Sequence, residues 1–156
     1  TRHSVTDRFE MKRVCCLLAA LAALAGGCSQ PAGPSIVVSD VRVFAPVAGS
    51  GAGVAYMTIT NNSDRPITIE SVRSPHFDRV EMHETILEDD VSRMRSLGTV
   101  EVAPGAAVEF TPGGKHLMLM GIGPETGPGT SVDIELAYDD GLMLVSATML
   151  DRLQAD

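Results

Sequence analysis

The chain has 156 residues, with 12 basic and 20 acidic side chains for a net charge of −8. That length accommodates one domain with a sizeable core, and not two. The acidic balance argues against a nucleic-acid binder and against electrostatic adhesion to anionic lipid, and it favours a basic docking patch on any protein partner.

Residues Thr1 to Glu10 are charged and precede Met11, which reads as the natural start. Lys12-Arg13 then introduce an apolar stretch, Val14 to Ala25, that is too short to span a bilayer and ends in Gly26-Gly27-Cys28. That is the pattern of a secretory signal peptide. Small residues before a cysteine, with Leu24-Ala25 upstream and Ser29 after, resemble a bacterial lipobox, in which Cys28 becomes the lipidated first residue of the mature protein. A lipid on Cys28 would anchor the protein without spanning the membrane. Ser29, in place of an aspartate, resembles the sorting signal for the outer membrane. The expected organisation is therefore an upstream extension and lipoprotein signal peptide over 1–27, a proline-stiffened tether over 28–34, and one folded domain over 35–153 on the periplasmic side of a bacterial envelope. Cys15 and Cys16 leave with the signal peptide and Cys28 is consumed by the lipid, so the mature domain has neither a disulfide nor a thiolate ligand. It is also more acidic, with eight basic against eighteen acidic residues.

Within the domain, short apolar runs alternate with Gly, Pro, Asn and Asp about every ten residues. Strands are expected over Ile36 to Phe44, Val54 to Thr60, Ile67 to Val72, Val80 to Thr85, Met94 to Leu97, Val100 to Val102, Ala106 to Phe110, Leu117 to Met120, Val132 to Tyr138 and Leu142 to Leu150. This rhythm, with almost no helix signal, is that of an antiparallel sandwich or barrel. Asn61-Asn62-Ser63-Asp64, Ala103-Pro104-Gly105 and Asp139-Asp140-Gly141 supply turn chemistry, and Gly121 to Gly129 reads as a loop that flanks or roofs whatever the preceding strand carries.

Side chains two apart on a strand share one face about 7 Å apart. Leu117 and Leu119 look like the core side of their strand, which leaves His116, Met118 and Met120 opposite, where three such residues are better explained by a site than by solvation. Met120 reads as apolar packing. His83 shares a face with Glu81 and Thr85 and projects away from the core; taken alone it is a polar surface residue. Met94, beyond the acidic turn Glu88-Asp89-Asp90, reads in isolation as core, and His76 as a surface loop residue. Taken together, His83, Met94, His116 and Met118 form a ligand set that is half thioether. Thioether sulfur binds hard divalent ions poorly, so the set selects copper(I). Catalysis finds no support: there is no phosphate loop, no nucleophile elbow and no mature-chain cysteine, and two histidines without a third hard ligand do not make a zinc hydrolase.

The spacing of these four residues resembles the His-x10-Met-x21-His-x-Met pattern of the periplasmic PCu(A)C copper chaperones. Val80-Glu81-Met82-His83-Glu84 and Pro112-Gly113-Gly114-Lys115-His116-Leu117-Met118-Leu119-Met120 look like that family's two motif segments, and the likeness extends at lower specificity from about Val37 to about Leu150. The chain departs from it at Glu84, where the family often has a further methionine. The resemblance implies an all-β, cupredoxin-like or immunoglobulin-like antiparallel β-sandwich. It further implies that one copper(I) is held through His83, Met94, His116 and Met118 and passed to the dinuclear copper site of cytochrome c oxidase; a monomer without enzymatic activity is expected. A second reading is an envelope lipoprotein that buffers copper, or serves as an interaction module, without transferring metal.

Overall fold

A computed structural model describes residues 35–152 except Asp140; the signal peptide, Cys28, the tether and the last four residues lie outside the described residues. Ten strands follow in chain order: β1 (Ile36–Phe44), β2 (Ala52–Asn61), β3 (Ile67–Arg73), β4 (Phe77–Glu88), β5 (Val91–Leu97), β6 (Val100–Val102), β7 (Ala107–Phe110), β8 (Lys115–Ile122), β9 (Ser131–Tyr138) and β10 (Gly141–Leu150). They are hydrogen-bonded in the order β5-β4-β8-β7-β2-β1-β10-β9-β3-β6, and β8 also pairs directly with β2. All ten expected runs form strands. The largest differences are at β4 and β5, which extend outward to either side of Asp89-Asp90 as one long hairpin.

The sheet folds over on itself into a sandwich, so that β2, β4 and β8 share one core with β3, β6 and β9. Ile59, Ile69, Leu117, Leu119, Ile134 and Leu136 meet there, each fully removed from solvent. Full burial of one such side chain is worth about 1.5–3 kcal/mol, which makes this apolar layer the main source of stability. Strict antiparallel pairing is not kept throughout, since β1 runs parallel to β10 and β7 parallel to β8. Among the described residues no helix is long and apolar enough to cross a membrane.

A bulge in β1 matters for the outer face. The register shifts between Ser39 and Arg42, and Asp40 adopts a φ of 54°. Ile36 and Val38 face the core before the shift; after it, Val43 faces the core and Phe44 turns outward. One extra residue in one strand has this effect because side chains alternate with a period of two. Phe44 then packs edge-on against Tyr56 of β2, ring centroids 5.9 Å apart, beside Val54. A small second apolar cluster results, on the sheet face away from the main core.

Asn61, at the end of β2, is a fully buried polar side chain whose every group is satisfied. Its Nδ2 donates to the carbonyls of Arg65 (2.7 Å) and Val102 (2.9 Å), and its Oδ1 accepts from the backbone N–H (2.9 Å) and the hydroxyl (2.7 Å) of Ser63. It thereby ties the β2–β3 turn to β6. Asn61→Ala leaves the buried Val102 carbonyl and the part-buried Arg65 carbonyl each short of a donor, and the expected loss is about 1–3 kcal/mol in urea unfolding with an unchanged m-value. A loss below about 0.5 kcal/mol would show that water replaces the amide at no cost.

Candidate metal centre

The pairing of β4 with β8 sets Met82 opposite Leu117 and His83 opposite His116. Met82 and Leu117 enter the core, so the two histidines must share the outer face. Their rings lie 6.0 Å apart, centroid to centroid, tilted by 44°. His116 is only 7% exposed and His83 is half-buried, with 15% of its side chain accessible. Met118 follows two residues after His116 on the same face, across from Glu81 of β4 and Val54 of β2.

Met94 arrives by way of the hairpin. Glu88 pairs with Val91 around a two-residue turn in which Asp89 and Asp90 have φ of 50° and 60°, the left-handed pair that a type I′ turn needs. That register places Met94 opposite Thr85, one row beyond His83 on the same face. Met94, which in isolation would be read as core, is 57% exposed, because β5 is an edge strand that the rest of the sandwich does not cover. Met94, His116 and Met118 line a cleft of about 330 Å³ together with Tyr56, Thr85 and Arg152. His83 is not part of the cleft lining and joins the group through its ring contact with His116.

The hydrogen bonds of the two rings leave one nitrogen bare on each. A carboxylate can only accept, so His83 Nε2 donates to Glu81 Oε2 at 2.8 Å, and its Nδ1 is a buried atom without a partner. A carbonyl also only accepts, so His116 Nδ1 donates to the Gly114 oxygen at 3.0 Å and Nε2 keeps the lone pair. Such outer bonds are the usual means of fixing the tautomer of a metal-binding imidazole. An unsatisfied buried nitrogen costs free energy unless something completes it, and His83 Nδ1 is such an atom. Among the described residues no group of three or more His, Cys, Asp and Glu side chains is arranged to hold a metal ion, so a metal bound here would need the methionines.

Two further methionines are accounted for otherwise. Met82 is buried in the core, and Met120, expected to be apolar packing, has its sulfur 3.3 Å from Arg79 Nη2. The glycine-rich loop does not flank the site, contrary to expectation. It leaves the far end of β8, six residues and roughly 20 Å along the strand from His116. There it is held by Gly123 N–H donating to the His76 carbonyl and Gly129 N–H to the Met149 carbonyl. The cleft is bordered by residues from the shorter loops instead, Ser50 and Gly113. Sequence reasoning also passed over Glu81 and the Gly114 carbonyl as partners of the histidines; the i, i+2 alternation of a strand could have pointed to Glu81, but not to a backbone carbonyl.

Charge around the site is paired. The hydrogen bond from His83 holds the Glu81 carboxyl below its ordinary range, with Arg79, 3.2 Å from the other oxygen, acting in the same sense. One position on, Glu84 lies between Lys115 and Arg95, both at 2.8 Å, and the hydrogen bond from Lys115, followed by that from Arg95, lowers its pKa as well.

Residues 36–147 match the model of the LpqE-like family, described as lipoproteins. The protein Lxx21020 of Leifsonia xyli subsp. xyli, which bears a lipoprotein designation, is 24% identical over 101 residues, 64% of this chain; the match spans 61% of that relative's own length. Two solved structures share the fold. The copper-bound PCuAC domain from PmoF2 superposes with a TM-score of 0.62 at 23% identity, over 78% of this chain and 97% of that domain. Copper(I)-bound DR1885 from Deinococcus radiodurans gives 0.58 at 28% identity, over 86% of this chain and 89% of that protein.

The lowered carboxyls fix the sign of the acid response. A glutamate whose folded pKa lies below the ordinary 4.5 contributes stability that is present above that pH and lost as pH falls through the lowered folded value. Glu84→Gln should therefore lower the melting temperature at neutral pH and flatten its decline below about pH 4.5. Parallel Tm–pH curves for the two proteins would remove the ion triad from the acid response.

Proposed function

Since this chain belongs to the LpqE-like family and shares its fold with copper-bound PCuAC domains, we propose that it is a non-enzymatic copper(I) metallochaperone of the bacterial envelope. One copper(I) is held by His83, Met94, His116 and Met118, as cargo to be passed on. The observation that carries this reading is the facing histidine pair in which each ring has one nitrogen committed to an oxygen and one left bare, beside a cleft lined by two thioethers. Imidazole with thioether is a donor set for reduced copper, and neither group forms a disulfide in an oxidising compartment.

The finer parts of the proposal concern place and partner. The lipobox-like segment ending at Cys28 and the lipoprotein designation of the family support a lipid anchor at Cys28, a tether over 28–34 and a domain over 35–153 on the periplasmic side, with Ser29 favouring the outer membrane. The acceptor proposed is the copper-receiving subunit of cytochrome c oxidase, or another apo copper protein, reached by direct ligand exchange as a monomer.

Anaerobic titration against a copper(I) chelator should show one tightly bound ion. Met94→Leu and Met118→Leu conserve volume, so each should weaken affinity at least tenfold while leaving the fold intact. Unchanged affinity in both would remove the methionines from the site, and equal thermal stabilisation by zinc would refute the preference for soft metal. Incubation of the loaded protein with a purified apo copper subunit of an oxidase separates chaperone from buffer. A chaperone transfers its copper faster than the copper dissociates, whereas a buffer releases it at the dissociation rate whatever the acceptor concentration.

A further inference from the structure

We propose that Glu81 is the positioning residue for His83: by accepting the Nε2–H it fixes the tautomer and ring angle that leave Nδ1 as the metal-facing atom. The carboxylate is itself held from behind. Its Oε2 takes the imidazole proton at 2.8 Å, and its Oε1 is engaged by Arg79 Nε at 3.2 Å. The same guanidinium reaches the sulfur of Met120 at 3.3 Å. The four groups stand on adjacent rows of β4 and β8, where Arg79 is opposite Met120 and Glu81 opposite Met118. Both carboxylate oxygens are thus committed, which makes Glu81 a second-layer partner of the metal and not a ligand. Met120 takes part by steadying Arg79, which leaves Met118 as the thioether of this strand that is open to the cleft.

The two histidines consequently present different nitrogens. His116 is held through Nδ1 by a backbone carbonyl, a partner that no side-chain substitution removes. His83 is held through Nε2 by a side chain that a single substitution can delete. The orientation of one ligand is therefore written into the backbone and that of the other into Glu81. A buried imidazole whose outer bond is lost reorients or takes up water, and loss of such partners lowers metal affinity about 10–100-fold.

The test needs no metal for its first half, and only its second half rests on the copper reading. In 15N-labelled apo protein near pH 8, long-range 1H–15N spectra should show His83 protonated at Nε2 and bare at Nδ1, with that proton protected from exchange. In Glu81→Leu the protected Nε2–H signal should vanish while the dispersion of the amide spectrum is kept, and copper(I) affinity should fall ten- to a hundredfold. Glu81→Gln keeps an accepting oxygen and should retain both the signal and affinity within about threefold of wild type. A His83 protonated at Nδ1 in the wild-type protein overturns the inference, as does wild-type affinity in Glu81→Leu. A Gln variant as weak as the Leu variant would show that the carboxylate acts through its charge or as a direct ligand, which also overturns it. If the apo spectra are as expected and the wild-type protein binds no copper(I), the proposed function fails and the positioning role stands.

Discussion

Everything on the outer face depends on the register of β4 against β8. Met82 with Leu117 on the inside and His83 with His116 on the outside are consequences of a single alignment, because successive side chains of a strand point to opposite faces. A slip of β4 by one residue against β8 would put His83 into the core and Met82 into solvent, an exchange of buried apolar for buried polar groups all along that strand. The apolar layer therefore does more than stabilise the sandwich. By forcing Leu117 and Leu119 inward it fixes where the histidines stand, and the accuracy of the site is inherited from the cost of misplacing the core.

Much of this was legible in the sequence, and the reason is periodicity. Alternation in Lys115 to Met120 separates leucine from histidine and methionine without any knowledge of neighbours, and the runs of β-branched and apolar residues marked all ten strands. What alternation cannot give is the identity of the strand across the way. Met94 was singled out by its spacing and would in isolation be read as core; its exposure follows from β5 lying at the sheet edge, a property of the topology. The glycine-rich loop was assigned to the site because it follows His116 and Met118 in the chain; the length of β8 carries it to the other end of the sheet. The bulge at Asp40 was invisible for a similar reason, since one residue in the left-handed region reverses the facing of Phe44 without altering the composition of its strand.

The electrostatics of the centre are unusual for so acidic a chain. Glu81 and Glu84 flank His83 in sequence, yet both are neutralised by cations drawn from three strands, Arg79 on β4, Arg95 on β5 and Lys115 on β8. Neither carboxylate beside His83 in the chain is left free: Glu81 is engaged on the histidine face by His83 and Arg79, and Glu84 on the opposite face by Lys115 and Arg95. A monovalent soft ion would meet imidazole and thioether, which carry no charge, and hard divalent ions would find no free carboxylate on these two residues to exploit. Selectivity by this route rests on what is sequestered as much as on what is offered.

The long hairpin gives the four proposed ligands unequal mechanical standing. His116 and Met118 sit on β8, which is paired on both sides, whereas Met94 rides on β5, whose outer edge is unpaired and whose neighbours on the arm, Leu87 and Val91, are 72% and 52% exposed. Segments with few buried contacts and solvated backbone hydrogen bonds open with small free energies while the rest of a fold stays closed. Breathing of the arm would withdraw one thioether and leave the other three donors in place. An incoming donor could fill that gap before any other bond breaks, so exchange would proceed through a mixed-ligand intermediate without free ion ever entering solution. Rapid hand-over and firm retention would then coexist, the first governed by the fraying of an edge strand and the second by the rigidity of the sheet's interior.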